Sequence, residues 1–398
     1  MVAEDIDVKY EDAIKRCKPS FRSKLEHSVT LLRKAEGLAK TYDNEDGFFL
    51  AFSGGKDSQA LYHVTKMAGV LFKGHFSPTS VDPPDLIRFI KNEYPSVEWG
   101  HLDFSIYQRA VERRILPTMR VRWCCADFKE TAGAGKVTLI GIRKEESARR
   151  AKRHEVEVSN KKFSGSLDEF EDWSKAEIER KTNRKSKRKI NEDEFSVKQD
   201  SEVHCINGKD SILISPIFDW TEKDIWYFLD KIIGAPHCKL YDEGYKRIGC
   251  ILCPMSSPKS KQRDIERFPH VKRNWIKAIK EIRRGGVFKE EFIWWNIPRD
   301  WMQQTLQRGK CLGQHITSRK LPLHLCKTTR GQQTRNMSLP KGQCSGFSES
   351  PASGGVDAGQ WTEDEIAEAI FDWWISGKPY KQWYSDKYLQ QEIEFDTE

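Results

Sequence analysis

The sequence predicts an α/β protein: a mostly parallel sheet with helices on both faces, followed by a helical C-terminal region. Three observations predict it. Short apolar runs recur at 48–52, 70–76, 97–99, 137–141 and 212–214. Stretches with apolar residues at helical spacing stand between several of them, the pattern of strand–helix alternation. The first run ends in two glycines and leads straight into a helical stripe, as parallel sheets with phosphate-binding turns do.

In chain order, residues 1–45 read as a helical segment, with Val29, Leu31, Leu32, Ala35, Leu38 and Ala39 among charged neighbours. The first strand begins at Phe48, and Ala60, Leu61, Val64 and Met67 give the helix after it. Pro83-Pro84 opens a helix from Asp85 to Tyr94. A later helix runs from Thr221, its cap, to Lys231. The sheet-bearing domain is expected over 46–260, interrupted by a charged insertion at about 152–210 that reads as a solvated, partly disordered surface segment. A helical extension at 261–327, a Gly/Ser/Thr/Gln-rich linker at 328–360 and a C-terminal helical segment at 361–398 complete the chain. In the last, Trp373 and Trp374 read as packing residues.

Composition narrows the function classes. The chain has 398 residues, 67 Lys+Arg against 59 Asp+Glu, a net charge of +8 and a hydrophobic fraction of 38%. The modest basic excess suits a polyanionic partner such as a nucleotide or nucleic acid. The run Arg180-Lys181-Thr182-Asn183-Arg184-Lys185-Ser186-Lys187-Arg188-Lys189 is the sharpest candidate for contacting nucleic acid, set against a merely solvated surface. No apolar run reaches membrane-spanning length and the first residues are acidic, so a cytoplasmic protein with no membrane contact is expected. There the ten cysteines are expected to be thiols or metal ligands.

The stretch Ser53-Gly54-Gly55-Lys56-Asp57-Ser58 carries the chemistry. Two glycines let the backbone fold so that successive N–H groups converge, and the following helix adds its positive end. Lys56 adds a full charge, and Ser53 and Ser58 add hydroxyl donors. Such a loop holds phosphate or sulfate, although its spelling differs from G-x-x-x-x-G-K-[ST]. A second anion candidate is Gly141-Ile142-Arg143-Lys144-Glu145-Glu146-Ser147: glycine permits close approach, Arg143 offers a planar fork and Glu146 orients it.

Cys124 and Cys125 are adjacent, and Cys250 and Cys253 form C-x-x-C. Four thiolates suit either a zinc ion or a [4Fe–4S] cluster. Adjacent ligands are awkward around one tetrahedral ion, whereas a cluster takes neighbouring cysteines on different irons, so spacing favours iron–sulfur. The flanking Arg120, Arg122, Lys129, Lys246 and Arg247 favour thiolates. Cys311, His315, His324 and Cys326 match no metal spacing.

The ordered set of the loop 53–58, Cys124-Cys125, Gly141-x-Arg143-x-x-Glu146-Ser147, Pro216-x-x-Asp219-Trp220-Thr221-x-x-Asp224-x-Trp226 and Leu240-Tyr241-x-x-Gly244-Tyr245-x-x-Ile248-Gly249-Cys250-x-x-Cys253 resembles the phosphoadenosine phosphosulfate (PAPS) reductase family. The resemblance covers about 45–260 and is to the cluster-binding branch, which includes adenylyl-sulfate (APS) reductases and enzymes of DNA phosphorothioation. It implies a Rossmann-like fold of the adenine nucleotide α-hydrolase-like superfamily. It also implies a PP-loop at Ser53, Gly54, Gly55, Lys56, Asp57 and Ser58 that holds the anionic end of an adenine nucleotide, with Gly141, Arg143 and Glu146 beside it. It implies a [4Fe–4S] cluster on Cys124, Cys125, Cys250 and Cys253, with Lys129 between cluster and anion.

Two enzymatic readings follow. In the first, a cysteine thiolate attacks the sulfur of APS or PAPS, and a thioredoxin-like reductant releases sulfite; Lys56, Asp57, Arg143 and Lys129 carry the site. The reductases' C-terminal Glu-Cys-Gly-Leu-His segment has only an altered counterpart here, Lys310-Cys311-Leu312-Gly313-Gln314-His315. In the second, ATP with Mg²⁺ fills the loop, an acceptor such as nucleic acid is adenylated with release of pyrophosphate, and sulfur from a donor such as a cysteine desulfurase follows. A third reading is a non-catalytic nucleotide-binding accessory protein of a mobile element.

Overall fold

The computed structural model describes residues 2–159, 162–189, 205–206, 209–284, 362–378 and 383. The chain divides into two compact units, Met1–Asn274 and Trp275–Glu398.

The first unit holds a seven-stranded sheet: β1 (Phe48–Ala51), β2 (Phe72–Phe76), β3 (Glu98–Trp99), β4 (Val137–Leu139), β5 (Val156–Val158), β6 (Phe163–Gly165) and β7 (Ile212–Ile214). Their order is β3-β2-β1-β4-β7-β5-β6. The first five in that order run parallel; β5 pairs antiparallel with both β7 and β6. Successive side chains of a strand point to opposite faces. Phe48, Phe49 and Leu50 are nevertheless all buried, as are Val137, Thr138 and Leu139, so the central strands are covered on both sides. That is why these stretches read as continuous apolar runs rather than alternating ones.

The helices are α1 (Tyr10–Arg16), α2 (Pro19–Tyr42), α3 (Lys56–Ala68), α4 (Pro84–Glu93), α5 (Ile106–Arg113), α6 (Trp123–Phe128), α7 (Leu167–Lys189), α8 (Glu222–Tyr227), α9 (Pro258–Arg267), α10 (Pro269–Arg284) and α11 (Glu363–Ser376). Helix α2 buries Phe21, Leu25, Leu32 and Ala39, and Phe21 meets Trp220 edge-on with centroids 4.7 Å apart. In the second unit, Trp374 of α11 packs its ring 4.9 Å from that of Trp275, and Arg284 holds Glu363. Trp374 is thus a packing residue as expected, whereas Trp373 is half-buried and donates to the Lys378 carbonyl. No described helix is long and apolar enough to cross a membrane.

The structure corrects several local expectations. The helix expected from Thr221 to Lys231 is α8 followed by a π-helical turn, Phe228–Ile233, closed by Gly234 in the left-handed region. Strand β4 stops at Leu139, two residues short of Gly141. The insertion at 152–210 is more ordered than its charge suggests. It contributes the β5–β6 hairpin to the sheet and helix α7, whose backbone stays helical through the basic run to Lys189. Acidic Asp168 and Glu169 lie in the first turn of α7 and the cations lie towards its end, the order that complements a helix dipole.

Candidate nucleotide site beside a cysteine centre

Strand β1 has β2 on one side and β4 on the other: the chain steps from β1 to β2 and β3 in one direction, then crosses back to lay β4 on the opposite side of β1. In parallel sheets such a reversal opens a crevice where ligands bind. The loop 52–55 closes one wall of it and residues 140–143, after β4, the other.

Gly54 adopts φ +69°, and a Cβ there would lie 2.7 Å from Leu86 and Ile90 side-chain atoms. Glycine is therefore required on both conformational and steric grounds. The loop is held by Ser58, whose Oγ donates to the Gly55 carbonyl (2.9 Å) and accepts from Ser53 N–H and Oγ–H (3.2 and 3.1 Å). Gly141 comes so close to α3 that a Cβ would stand 3.2 Å from the Asp57 carbonyl group. This approach seats Arg143 against the loop.

The two cations of the site are buried: Lys56 and Arg143 are each about 4% exposed. Arg143 Nε donates to Asp57 Oδ1 at 2.6 Å, and its Nη1 donates to Glu145 Oε2 at 3.0 Å and to the Trp220 carbonyl at 3.4 Å. Burial works against its charge, but Asp57, then Glu146 and Glu145, raise its pKa above the usual guanidinium value. Glu146 accepts the Arg143 N–H at 3.0 Å and pairs with Arg150. Lys56 Nζ lies 3.6 Å from Asp57 Oδ2 and 3.5 Å from Glu222 Oε1, and it donates to the Lys246 carbonyl at 3.0 Å. Glu222 N–H donates to Glu145 Oε2 at 2.6 Å. Two cations therefore face three carboxylates, a net of one negative charge.

The structure thus brings Ser53, Gly54, Gly55, Lys56, Asp57, Ser58, Gly141, Arg143 and Glu146 to one crevice. Sequence reasoning gave no role to Glu145, Glu222 or Tyr241, whose hydroxyl accepts the Lys56 N–H at 2.8 Å. The signal for the first two is positional: Glu145 stands inside the segment 141–147 and Glu222 inside the motif 216–226.

Cys124 and Cys125 lie on α6, and Cys250 and Cys253 on a turn pinned by Ile251 N–H to the Val81 carbonyl (2.8 Å). Cys124, Cys125 and Cys253 each feel neighbouring thiols. A hydrogen bond from Cys124 pulls Cys125 down to about 6, while the same bond and burial push Cys124 up, with Cys250 and Cys253 adding to the push. Burial raises Cys253, reinforced by Cys250 and Cys125. Lys129 Nζ lies 3.3 Å from Cys250 Sγ. Much of the residue's surface is exposed, yet its ammonium end is crowded, and although that desolvation works the other way, Cys250 and Asp82 raise its pKa. The contacts of Lys129 are to the cysteine side; the loop's own cations are Lys56 and Arg143.

Among the described residues no group of three or more His, Cys, Asp or Glu side chains is spaced to hold one metal ion. Cys124 and Cys125 on α6 and Cys250 and Cys253 on the turn are the residues that would hold a [4Fe–4S] cluster, each thiolate on a different iron. For a hard cation at the loop, a complete protein cage is not needed, because magnesium takes one or two carboxylates together with substrate phosphates and water.

A family model described as the phosphoadenosine phosphosulfate reductase domain matches residues 47–256. The chain belongs to the PAPS reductase family. Two uncharacterised proteins of Methanocaldococcus jannaschii are each 23% identical to it, over 312 and 296 residues; both matches take in 72% of this chain, and they cover 53% and 59% of those proteins. The chain therefore spans little more than half the length of the curated relatives it matches. Adenosine 5'-phosphosulfate reductase 2 of Bacillus subtilis is 38% identical over 47 residues, 12% of this chain and 20% of that enzyme. Among solved structures, Candida glabrata FMN adenylyltransferase with FAD and inorganic pyrophosphate aligns with a TM-score of 0.37 and 15% identity, covering 66% of this chain and 78% of the other. Membership of the PAPS reductase family supports adenine nucleotide binding.

Proposed function

We propose that this PAPS reductase family member binds ATP with magnesium at the loop 53–58 and transfers the adenylyl group to an acceptor oxygen, releasing pyrophosphate, as the activating step of sulfur incorporation. The observation that carries this reading is the charge balance of the crevice. Lys56 and Arg143 are already matched by Asp57, Glu145 and Glu222, leaving a net negative group. A bare sulfate end would add negative charge to it. A triphosphate with its magnesium also stays anionic, but the divalent cation gives the surplus carboxylates a partner, which a bare sulfate end does not.

Asp57 with Glu145 or Glu222 would hold the magnesium ion, which would supply charge neutralisation along the phosphates. Lys56 and Arg143 stabilise the charge that gathers on the departing pyrophosphate. The acceptor oxygen attacks the α-phosphorus, the bond to the β-phosphate oxygen breaks, pyrophosphate leaves with the electron pair, and the acceptor's proton passes to solvent. A nucleic-acid acceptor would meet the basic run at 180–189, and a cysteine desulfurase-type donor would bring the sulfur. Cys124, Cys125, Cys250 and Cys253 would hold a [4Fe–4S] cluster, which would supply a sulfur-ligating or electron-carrying centre next to Lys129.

The test is release of labelled pyrophosphate from ATP by the anaerobically purified protein, with and without DNA or tRNA. Release that depends on acceptor and is lost in Lys56→Ala supports the reading; no release with any acceptor contradicts it.

The contact of Lys129 with Cys250 favours a second reading, in which Lys129 links a cluster to a sulfonucleotide. There a thiolate would attack the sulfonyl sulfur of APS or PAPS, the sulfur–oxygen bond to the nucleotide would break, and a thioredoxin-like reductant would release sulfite. The candidate nucleophile, Cys311, lies outside the described residues. Sulfite release that survives Cys311→Ser would remove that thiolate from the scheme.

A further inference from the structure

The segment 241–249 lies on the anion loop and runs directly into the cysteine turn. It meets the loop at three points. The Tyr241 hydroxyl accepts the Lys56 N–H at 2.8 Å, the Lys246 carbonyl accepts from Lys56 Nζ at 3.0 Å, and the Ile248 carbonyl oxygen lies 3.9 Å from where a Gly55 Cβ would be. Cys250 follows two residues after Ile248. The segment is anchored outside the crevice. Lys239 reaches buried Asp85 on α4 at 2.9 Å, and Arg263 on α9 donates to the Gly244 carbonyl at 2.9 Å. Gly244 itself turns the chain at the second anchor with φ +86°.

The Lys56 N–H is the first amide of α3, one of the donors an anion at this loop needs. Here it is spent on a phenol. The Tyr241 ring is half-buried and braced edge-on by Trp226, 5.0 Å between centroids, so the hydroxyl is placed rather than incidental. A neutral phenol is a weaker acceptor partner for an amide than an anionic phosphoryl or sulfuryl oxygen, whose charge-assisted hydrogen bonds are about twice as strong. The exchange is therefore favourable.

We propose that Tyr241 is a positioning residue that stands in for the ligand's anion on the Lys56 amide. Ligand binding displaces it, and the displacement is passed along 246–249 to Cys250. This rests on the reading that the loop 53–58 receives the anionic end of the nucleotide. Occupancy of the loop and the setting of the C-x-x-C turn are then coupled, because Lys56 and Cys250 are gripped by the same nine-residue segment and its continuation.

The experiment compares wild type with Tyr241→Phe, which keeps the ring and removes the competing oxygen. Binding of ATP with magnesium, and of adenylyl sulfate, is measured by calorimetry, and hydrogen exchange of 241–253 is followed with and without whichever binds more tightly. The proposal expects about three- to tenfold tighter binding by Tyr241→Phe, the equivalent of one hydrogen bond no longer displaced. It also expects faster exchange across 241–249 in wild type when ligand is added. Equal or weaker binding by the variant, or exchange in 241–249 that slows or stays unchanged on ligand addition, overturns it. Failure of both proteins to bind either nucleotide overturns the nucleotide reading of the loop and this proposal with it, an outcome distinct from equal binding.

Discussion

Arg143 Nε stands 2.6 Å from Asp57 Oδ1, joining the segment after β4 to the first turn of α3 across 86 residues of sequence. The pair fixes both groups at the switch point of the sheet. Arg143 uses its fork three ways, on Asp57, Glu145 and the Trp220 carbonyl. A lysine offers a point charge and cannot span those acceptors. Arg143→Lys is expected to weaken ATP binding by about ten- to a hundredfold, the range for a lost charge-assisted hydrogen bond, with the thermal unfolding midpoint little changed. Calorimetric titration checks it.

The two loop glycines should answer differently to alanine. Gly54→Ala places a Cβ at φ +69° and 2.7 Å from Leu86 and Ile90 atoms. A loss of roughly 2 kcal/mol or more is expected, from left-handed backbone and overpacking together, with nucleotide binding abolished. Gly55 has φ −79°, and its nearest neighbours would be 3.5 Å from a Cβ. Gly55→Ala is expected to change stability by no more than about 0.5 kcal/mol. Urea midpoints of the two variants decide the matter.

His63 on α3 is buried with its Nε2 3.1 Å from the Tyr94 hydroxyl, and burial, helped by Lys66, drops its pKa to about 3. The folded value lies below that of the unfolded chain, about 6.5. Its contribution is therefore complete above pH 6.5 and is lost as the pH falls from there towards 3, because only the unfolded chain takes up the proton. The stability of wild type relative to His63→Asn should fall by about 2 kcal/mol between pH 7 and pH 5, at up to about 1.4 kcal/mol per pH unit. A difference that stays level across this range would show that the imidazole is not kept neutral.

The loop was legible because its information is local: two glycines, a lysine and two serines between a strand and a helix. The approach of Gly141 to Asp57 was not, since it depends on β4 pairing beside β1, a long-range choice that a motif does not encode. Tyr241 belongs to the same class. Its contact lies 185 residues from Lys56, and only the folded path of 241–249 reveals it. The β5–β6 hairpin was hidden because its strands are three residues long and set in charge, with no glycine turn between them. Helix α7 was masked by its charge density, although the order of acids before bases is itself a helix signal.

The four cysteines give a prediction independent of nucleotide chemistry. Anaerobically purified protein is expected to carry about four iron and four sulfide per chain. Serine at Cys124, Cys125, Cys250 or Cys253 should lower that content, while serine at buried Cys17 or Cys238 should not. Stoichiometric zinc in place of iron would contradict the cluster.

The charge balance of the crevice is tested most directly by equilibrium binding of ATP and of adenylyl sulfate, each with and without magnesium. With Lys56 and Arg143 already matched by Asp57, Glu145 and Glu222, ATP should bind at least about tenfold more tightly with magnesium than without it, and more tightly than adenylyl sulfate under either condition. Tight binding of adenylyl sulfate without magnesium, with ATP bound weakly or not at all, would contradict the account.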